Sequence, residues 1–396
     1  MPERLLPRAG EEGTRASGEM RGRGALRSNC SNPVTYLTAF AVGPFPLPPA
    51  GEDIIVTMSI TIEIPHRKPD IKPLAPQPEH RHIMAGWNIL MQLKGFHHLT
   101  AVTADAPGNH RFYTETLGLR LVKKTVNQDD TSAYHLFYAD GIGSPGTDIT
   151  FFDWPTGRES RGTHAVTRTG FRVANEESLQ YWQHRFTMLG VKHDKIAEQA
   201  GWQTLAFEDH EGQRLALVAD NAGEAHSWEL SPVPAEHQIR GLGPITMSVP
   251  DIRHTDVVLT NLMGMVPAGA FAGTHVYKMG AAGAVGELHV TVDPALPPAQ
   301  QGAGGVHHVA FNIPYAEYEA WTGRLKTMRM PNSGPVDRFW FKSLYFREPN
   351  GVLFELATDA PGFATDEDMD KLGTTLSLPP FLEAKRQQIE AGLKKI

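Results

Sequence analysis

The sequence predicts an α+β fold made of four copies of one βαβββ unit. Three observations carry this. The dipeptide His-His occurs twice in one setting, at Gly95-Phe96-His97-His98 and at Gly305-Val306-His307-His308. Each copy opens a short apolar strand pattern, and the order strand, helix, three strands recurs between them with glycine and aspartate at the turns.

Taken in chain order, residues 1–92 read as a disordered or mis-annotated N-terminal extension. Arg and Gly recur in its first thirty positions, and proline clusters such as Pro44-Phe45-Pro46-Leu47-Pro48-Pro49 leave little that can pack. Glu3, Glu11, Glu12 and Glu19 do not suit a transit peptide, and Met91 offers a later start. In the first unit, Phe96–Thr103 is expected as a strand and Ala106–Thr116 as a helix ending at Leu117-Gly118. Strands follow at Leu119–Thr125, Ala133–Ala139 and Asp148–Phe152. The second unit runs from about Gly170 to Asp220, with a helix over Ser178–Leu189 closed by Gly190. The third starts at Gly241 and carries a helix over Asp256–Met263; the fourth spans Gly305–Thr358. Units one and two are expected to form a domain at 93–225, units three and four another at 238–370. A helical tail covers 371–396, with Pro379-Pro380 at its start and Phe381, Leu382, Ile389 and Leu393 to dock it.

Composition excludes more than it identifies. With 396 residues, 41% hydrophobic, 20% charged and a net charge of -7, the chain suits a globular protein of two or three domains. Its mild acidity argues against nucleic acid or an anionic membrane as partner. No apolar run approaches a membrane span. Cys30 is the single cysteine, which excludes internal disulfides and suits a reducing, cytoplasmic compartment.

The chemistry concentrates in the two His pairs and in Gly351-Val352-Leu353-Phe354-Glu355-Leu356, an apolar strand with one carboxylate. Alternation sets Glu355 on the face opposite Phe354 and Leu356. If that face is interior, the carboxylate needs a cation. Taken singly, a strand histidine is most often a hydrogen-bonded core residue and a strand glutamate a solvated one. Together, two histidines and a carboxylate form the ligand set of a non-haem iron(II) site. Aligning the repeats places Arg168 and Thr169 of unit two, and Gly243 and Pro244 of unit three, where the other units hold His pairs. The site must therefore join unit one to unit four. Alternation alone does not choose within each pair.

The βαβββ unit, used in pairs that curl into half-open barrels, resembles the vicinal oxygen chelate superfamily of glyoxalases, bleomycin-resistance proteins and extradiol dioxygenases. The His-His-Leu-Thr start, Tyr134-His135-Leu136-Phe137-Tyr138-Ala139-Asp140, Gly143-Ser144-Pro145-Gly146-Thr147 and Gly362-Phe363-Ala364-Thr365-Asp366-Glu367-Asp368 are similar to the hydroquinone-type ring-cleaving dioxygenases. The resemblance covers residues 95–390. It implies His98, His308 and Glu355 as metal ligands, iron(II) or manganese(II) as the metal, and a small aromatic substrate with dioxygen as co-substrate. It also implies catalytic roles for Tyr345 and for Arg338, which could stabilise developing negative charge.

His97 and His307 are expected behind the ligands, orienting them or moving a proton. Alternation turns both away from the metal, toward a meeting point between units one and four, where plain packing is the alternative. Thr100 shares the strand face of His98 and is expected on the pocket wall. His135, His164, His275 and His289 carry no assignment. A glyoxalase-type isomerase or hydrolase would want a fourth ligand, and unit one offers only Asp148, Phe151 and Phe152 near that place. A non-catalytic protein that sequesters aromatic compounds is the other alternative, and it would need no intact triad. Ring substituents and a homo-oligomeric state are left open by these motifs.

Overall fold

The structure, a computed structural model, describes residues 91–280 and 283–396. The expectation for residues 1–92 thus lies almost wholly outside the described residues. Sixteen strands follow in four units. Unit one holds β1 (Phe96–Thr103), β2 (Arg120–Val126), β3 (Tyr134–Ala139) and β4 (Asp148–Asp153). Unit two holds β5 (Ala165–Val173), β6 (Ala197–Gln199), β7 (Trp202–Glu208) and β8 (Arg214–Ala219). Unit three holds β9 (Leu242–Val249), β10 (Val266–Phe271), β11 (Thr274–Lys278) and β12 (Glu287–Val292). Unit four holds β13 (Val306–Ile313), β14 (Val336–Asp337), β15 (Phe341–Arg347) and β16 (Leu353–Pro361).

Each unit places one helix after its first strand. In units one and three the helix is short, Ala106–Arg111 and Ile252–Val257, and passes into a wider π-type turn at Phe112–Thr116 and Val258–Leu262. Unit two has a regular helix, Glu176–Leu189, capped by the Asn175 side chain on the Ser178 amide. Gly118, Gly190 and Gly264 end these segments at φ of 71°, 70° and 69°, a left-handed turn that glycine adopts without strain.

The strands form two eight-stranded sheets, ordered β14-β15-β16-β13-β1-β4-β3-β2 and β10-β11-β12-β9-β5-β8-β7-β6. Units one and four therefore share one curled sheet, units two and three the other. This pairing departs from the sequential grouping of 93–225 and 238–370. The first strand of every unit needs a partner along its open edge, and β1 finds it in β13 while β5 finds it in β9. Both seams are antiparallel.

One face of β1 and β13 enters the main core, through Phe96, Leu99, Ala101, Val309 and Phe311. The other face is left for the interior of the half-barrel. The tail contains the short helix Arg386–Gly392, and Leu382 and Ile389 pack with Val126 and Leu378. Phe381 departs from the expected docking set: it is 62% exposed. Among the described residues no helix is long and apolar enough to cross a membrane.

Candidate metal centre

The seam between β1 and β13 is interrupted twice, and each interruption falls on a His pair. Phe96 pairs with Phe311 and His98 with Ala310, so His97 is the extra residue on β1. Thr100 pairs with His308 and Ala101 with Val306, so His307 is the extra residue on β13. A β-bulge re-aims the side chains around it. Here it overrides the alternation that was expected to turn His97 and His307 away. Nor do these two meet each other. His97 Nδ1 lies 2.9 Å from His98 Nδ1, and His307 Nδ1 lies 2.8 Å from His308 Nδ1. His97 Nε2 reaches the Thr358 carbonyl at 3.0 Å, while the His307 ring stands against Phe152 and Trp154.

These contacts leave the Nε2 atoms of His98 and His308 facing each other at 3.3 Å. Glu355 completes the group from β16, with Oε2 3.3 Å from His98 Nε2 and 2.8 Å from His308 Nε2. All three side chains are buried, and their ligand atoms lie within 4.8 Å of one another. Beyond these two imidazoles, neither carboxylate oxygen has a hydrogen-bond donor among the described residues. Burial opposes ionisation of Glu355, but the two imidazoles outweigh it and hold the carboxyl well below its ordinary range. A buried carboxylate closed on by two imidazole nitrogens fits a divalent cation. The separations fit too, since neighbouring ligands on an octahedron with bonds of ~2.1 Å stand about 3 Å apart.

By strand register the position equivalent to Glu355 in unit one is Thr150. Glu355 pairs with Ala310, two residues past His308, as Thr150 pairs with Thr100, two past His98. Asp148, expected near this place, pairs with His98 itself. Among the described residues the cluster is therefore three-membered. Three ligands leave coordination positions open.

A cavity opens beside it. Phe137, Phe152, Trp340 and Phe341 give it aromatic walls, and Asn127, Gln128, His135, Arg338 and Tyr345 give it polar ones. It is small, with a volume of about 40 Å³. Tyr345 pairs directly with Glu355 across the β15–β16 hairpin, and Arg338 Nε stands 3.4 Å from its hydroxyl. Arg338 is anchored on Asp129 at 2.9 Å. Burial and the Glu355 carboxylate raise the Tyr345 pKa against the opposing pull of Arg338, so its hydroxyl keeps its proton. Thr100 does not line the cavity; its hydroxyl lies 2.8 Å from that of Thr150, one layer behind.

Sequence reasoning missed His135, Asn127, Gln128 and the aromatic walls. The available signal was the alternation in Tyr134-His135-Leu136-Phe137, which sets His135 and Phe137 on one face. His289, also unassigned, sits in the other sheet and pairs with Glu287 at 3.1 Å.

The fold is a paired βαβββ scaffold, and the buried cluster of His98, His308 and Glu355 on it is a candidate metal site. The chain belongs to the glyoxalase/bleomycin resistance protein/dioxygenase superfamily, whose sequence profile matches residues 95–217. It is 45% identical over 315 residues to MhqA of Bacillus subtilis (strain 168), a protein named as a ring-cleaving dioxygenase, covering 77% of this chain and 100% of that one. It is 31% identical over 313 residues to the chlorohydroquinone/hydroquinone 1,2-dioxygenase of Sphingobium indicum, covering 75% and 95%. A crystal structure of a protein named as a dioxygenase from Bacillus subtilis aligns with a TM-score of 0.73 at 34% identity, over 77% of this chain and 97% of that one. Glyoxalase I from Zea mays shares the fold alone, at a TM-score of 0.52 and 14% identity over 69% of this chain and 95% of that one. Within the superfamily the chain is a ring-cleaving dioxygenase.

Proposed function

We propose that the chain opens a hydroquinone-type ring with dioxygen at an iron(II) ion held by His98, His308 and Glu355. The observation that carries this is the buried carboxylate closed on by two imidazole nitrogens at 2.8 and 3.3 Å and set beside an aromatic-walled cavity. The substrate class follows the name of the Sphingobium relative. Iron(II), when bound, supplies the electron exchange that lets dioxygen react with a phenolic ring; manganese(II) suits the same donors.

The protein's own residues do the rest. For each Nε2 to be a ligand, His98 and His308 carry their protons on Nδ1 and donate to the neighbouring histidine. His97 then donates from Nε2 to the Thr358 carbonyl, which fixes tautomer and ring angle of His98 together. Tyr345, kept protonated, offers a hydroxyl at the ligand end of the cavity, and Arg338 offers positive charge to the negative charge that develops on oxygen when the phenolic ring gives up electrons. The four aromatic walls exclude water from the reacting ring. Thr150 in place of a fourth ligand favours oxygen chemistry over the isomerase reading, because that chemistry needs open positions. A single cysteine fits a reducing, cytoplasmic setting.

The test is oxygen uptake by the full chain loaded anaerobically with iron(II), across a panel of hydroquinones and catechols. Uptake with hydroquinones, at about one dioxygen per ring lost, is the expected result. No uptake with any of them, despite bound metal, favours the isomerase or sequestering alternative.

A further inference from the structure

We propose that His135 reads the second hydroxyl of the substrate and so selects a para-dihydroxylated ring over an ortho one. The inference rests on the hydroquinone reading and deepens it. His135 stands on β3, two strands from β1 in the order β1-β4-β3. At about 4.8 Å per strand that is roughly 10 Å along the sheet from the strand of His98. A catechol carries its second hydroxyl beside the first, whereas a hydroquinone carries it at the far end of the ring. With one hydroxyl at the triad, the far one is directed across the cavity.

The imidazole is built into place. Phe137 and Phe152 hold its ring at centroid distances of 4.0 and 4.4 Å. Its Nε2 lies 2.9 Å from the Thr150 hydroxyl, which lies 2.8 Å from that of Thr100. Thr150 thus fills the place of a fourth ligand and is tied instead to a cavity side chain. With Nε2 engaged and the ring lining the cavity, Nδ1 is the atom His135 offers to a ligand. Closed in by the two phenylalanine rings, the imidazole sits where its neutral form is favoured. A neutral ring that donates from Nε2 to Thr150 presents an acceptor at Nδ1, matched to a phenolic O–H.

The experiment measures anaerobic binding by calorimetry of hydroquinone and of phenol, which lacks the second hydroxyl, to the iron(II)-loaded full chain. Wild type, His135→Phe and His135→Asn are compared at matched metal content and matched circular dichroism. The wild type is expected to favour hydroquinone over phenol by roughly tenfold, the effect of one buried hydrogen bond. His135→Phe should erase that ratio while leaving phenol binding unchanged, and His135→Asn, whose amide can stand near the Nδ1 position, should restore part of it. A ratio unchanged in His135→Phe, or equal weakening of both ligands, makes His135 a packing residue and overturns the proposal. Oxygen uptake on the wild type separates the other failure: consumption of catechols and not hydroquinones overturns the substrate reading and this inference with it.

Discussion

At the scale of single residues, the chemistry turns on side chains that no single pattern in the sequence would single out. The candidate triad could be read from the sequence because two His pairs and one strand carboxylate stand out against an apolar background, and the family resemblance chose His98 and His308 within their pairs; the structure brings these three together. His97 and His307 stand behind His98 and His308, against their Nδ1 atoms, as one sequence reading had it, but the two bulges that put them there leave no mark in composition. Tyr345 gives a direct test of the catalytic reading. Its hydroxyl meets Arg338 Nε at 3.4 Å and its ring stands 5.7 Å from that of His308. Tyr345→Phe keeps the packing and the metal but removes the hydroxyl, and turnover should fall by about a hundredfold in steady-state assays. An unchanged turnover number would demote Tyr345 to packing.

At the scale of elements, the strands were predicted well, since β1 runs over Phe96–Thr103 as expected and the other strands of unit one shift by a residue or so. The helices were less legible: Ala106–Thr116 splits into a helical turn and a wider one, a change that depends on packing. The segment after β16 shows how an element supports the cavity at a distance. Lys123, fully buried on β2, pairs with Asp366 at 2.9 Å and with Glu367, and also reaches the Phe363 carbonyl at 3.1 Å. Asp366 in turn accepts from the indole N–H of Trp340, a cavity wall, at 2.8 Å. Lys123→Met leaves the two carboxylates without their cation. It should lower stability by about 3 kcal/mol in urea unfolding and raise KM through a loosened Trp340. A variant as stable as wild type would show that solvent, not Lys123, neutralises this segment.

At the scale of the whole molecule, four repeats make two sheets of eight strands, and only the sheet joining units one and four carries the histidine cluster. The sequence showed the repeat, while the sharing of sheets between units one and four and between units two and three leaves no local signal. The second sheet holds Glu287 instead, bound to His289, Trp202 and Lys278. Burial would raise this carboxyl, but those hydrogen bonds outweigh it and hold it down to about 2 from an ordinary value of 4.5. A carboxyl depressed on folding stabilises the protein above its unfolded pKa and loses that effect as pH falls through the folded value. The acid limb between pH 4.5 and about 2 should therefore flatten in Glu287→Gln, by no more than about 3 kcal/mol, in unfolding measured against pH. An unaltered acid limb would remove Glu287 from the stability account. The account as a whole rests on one buried cluster, and the most direct measurement of it is metal content by mass spectrometry after anaerobic iron(II) loading of the wild type and His308→Ala. The wild type should hold about one iron per chain, and the variant should hold almost none while keeping its circular dichroism. Equal iron in both folded proteins would place the metal elsewhere and contradict the triad.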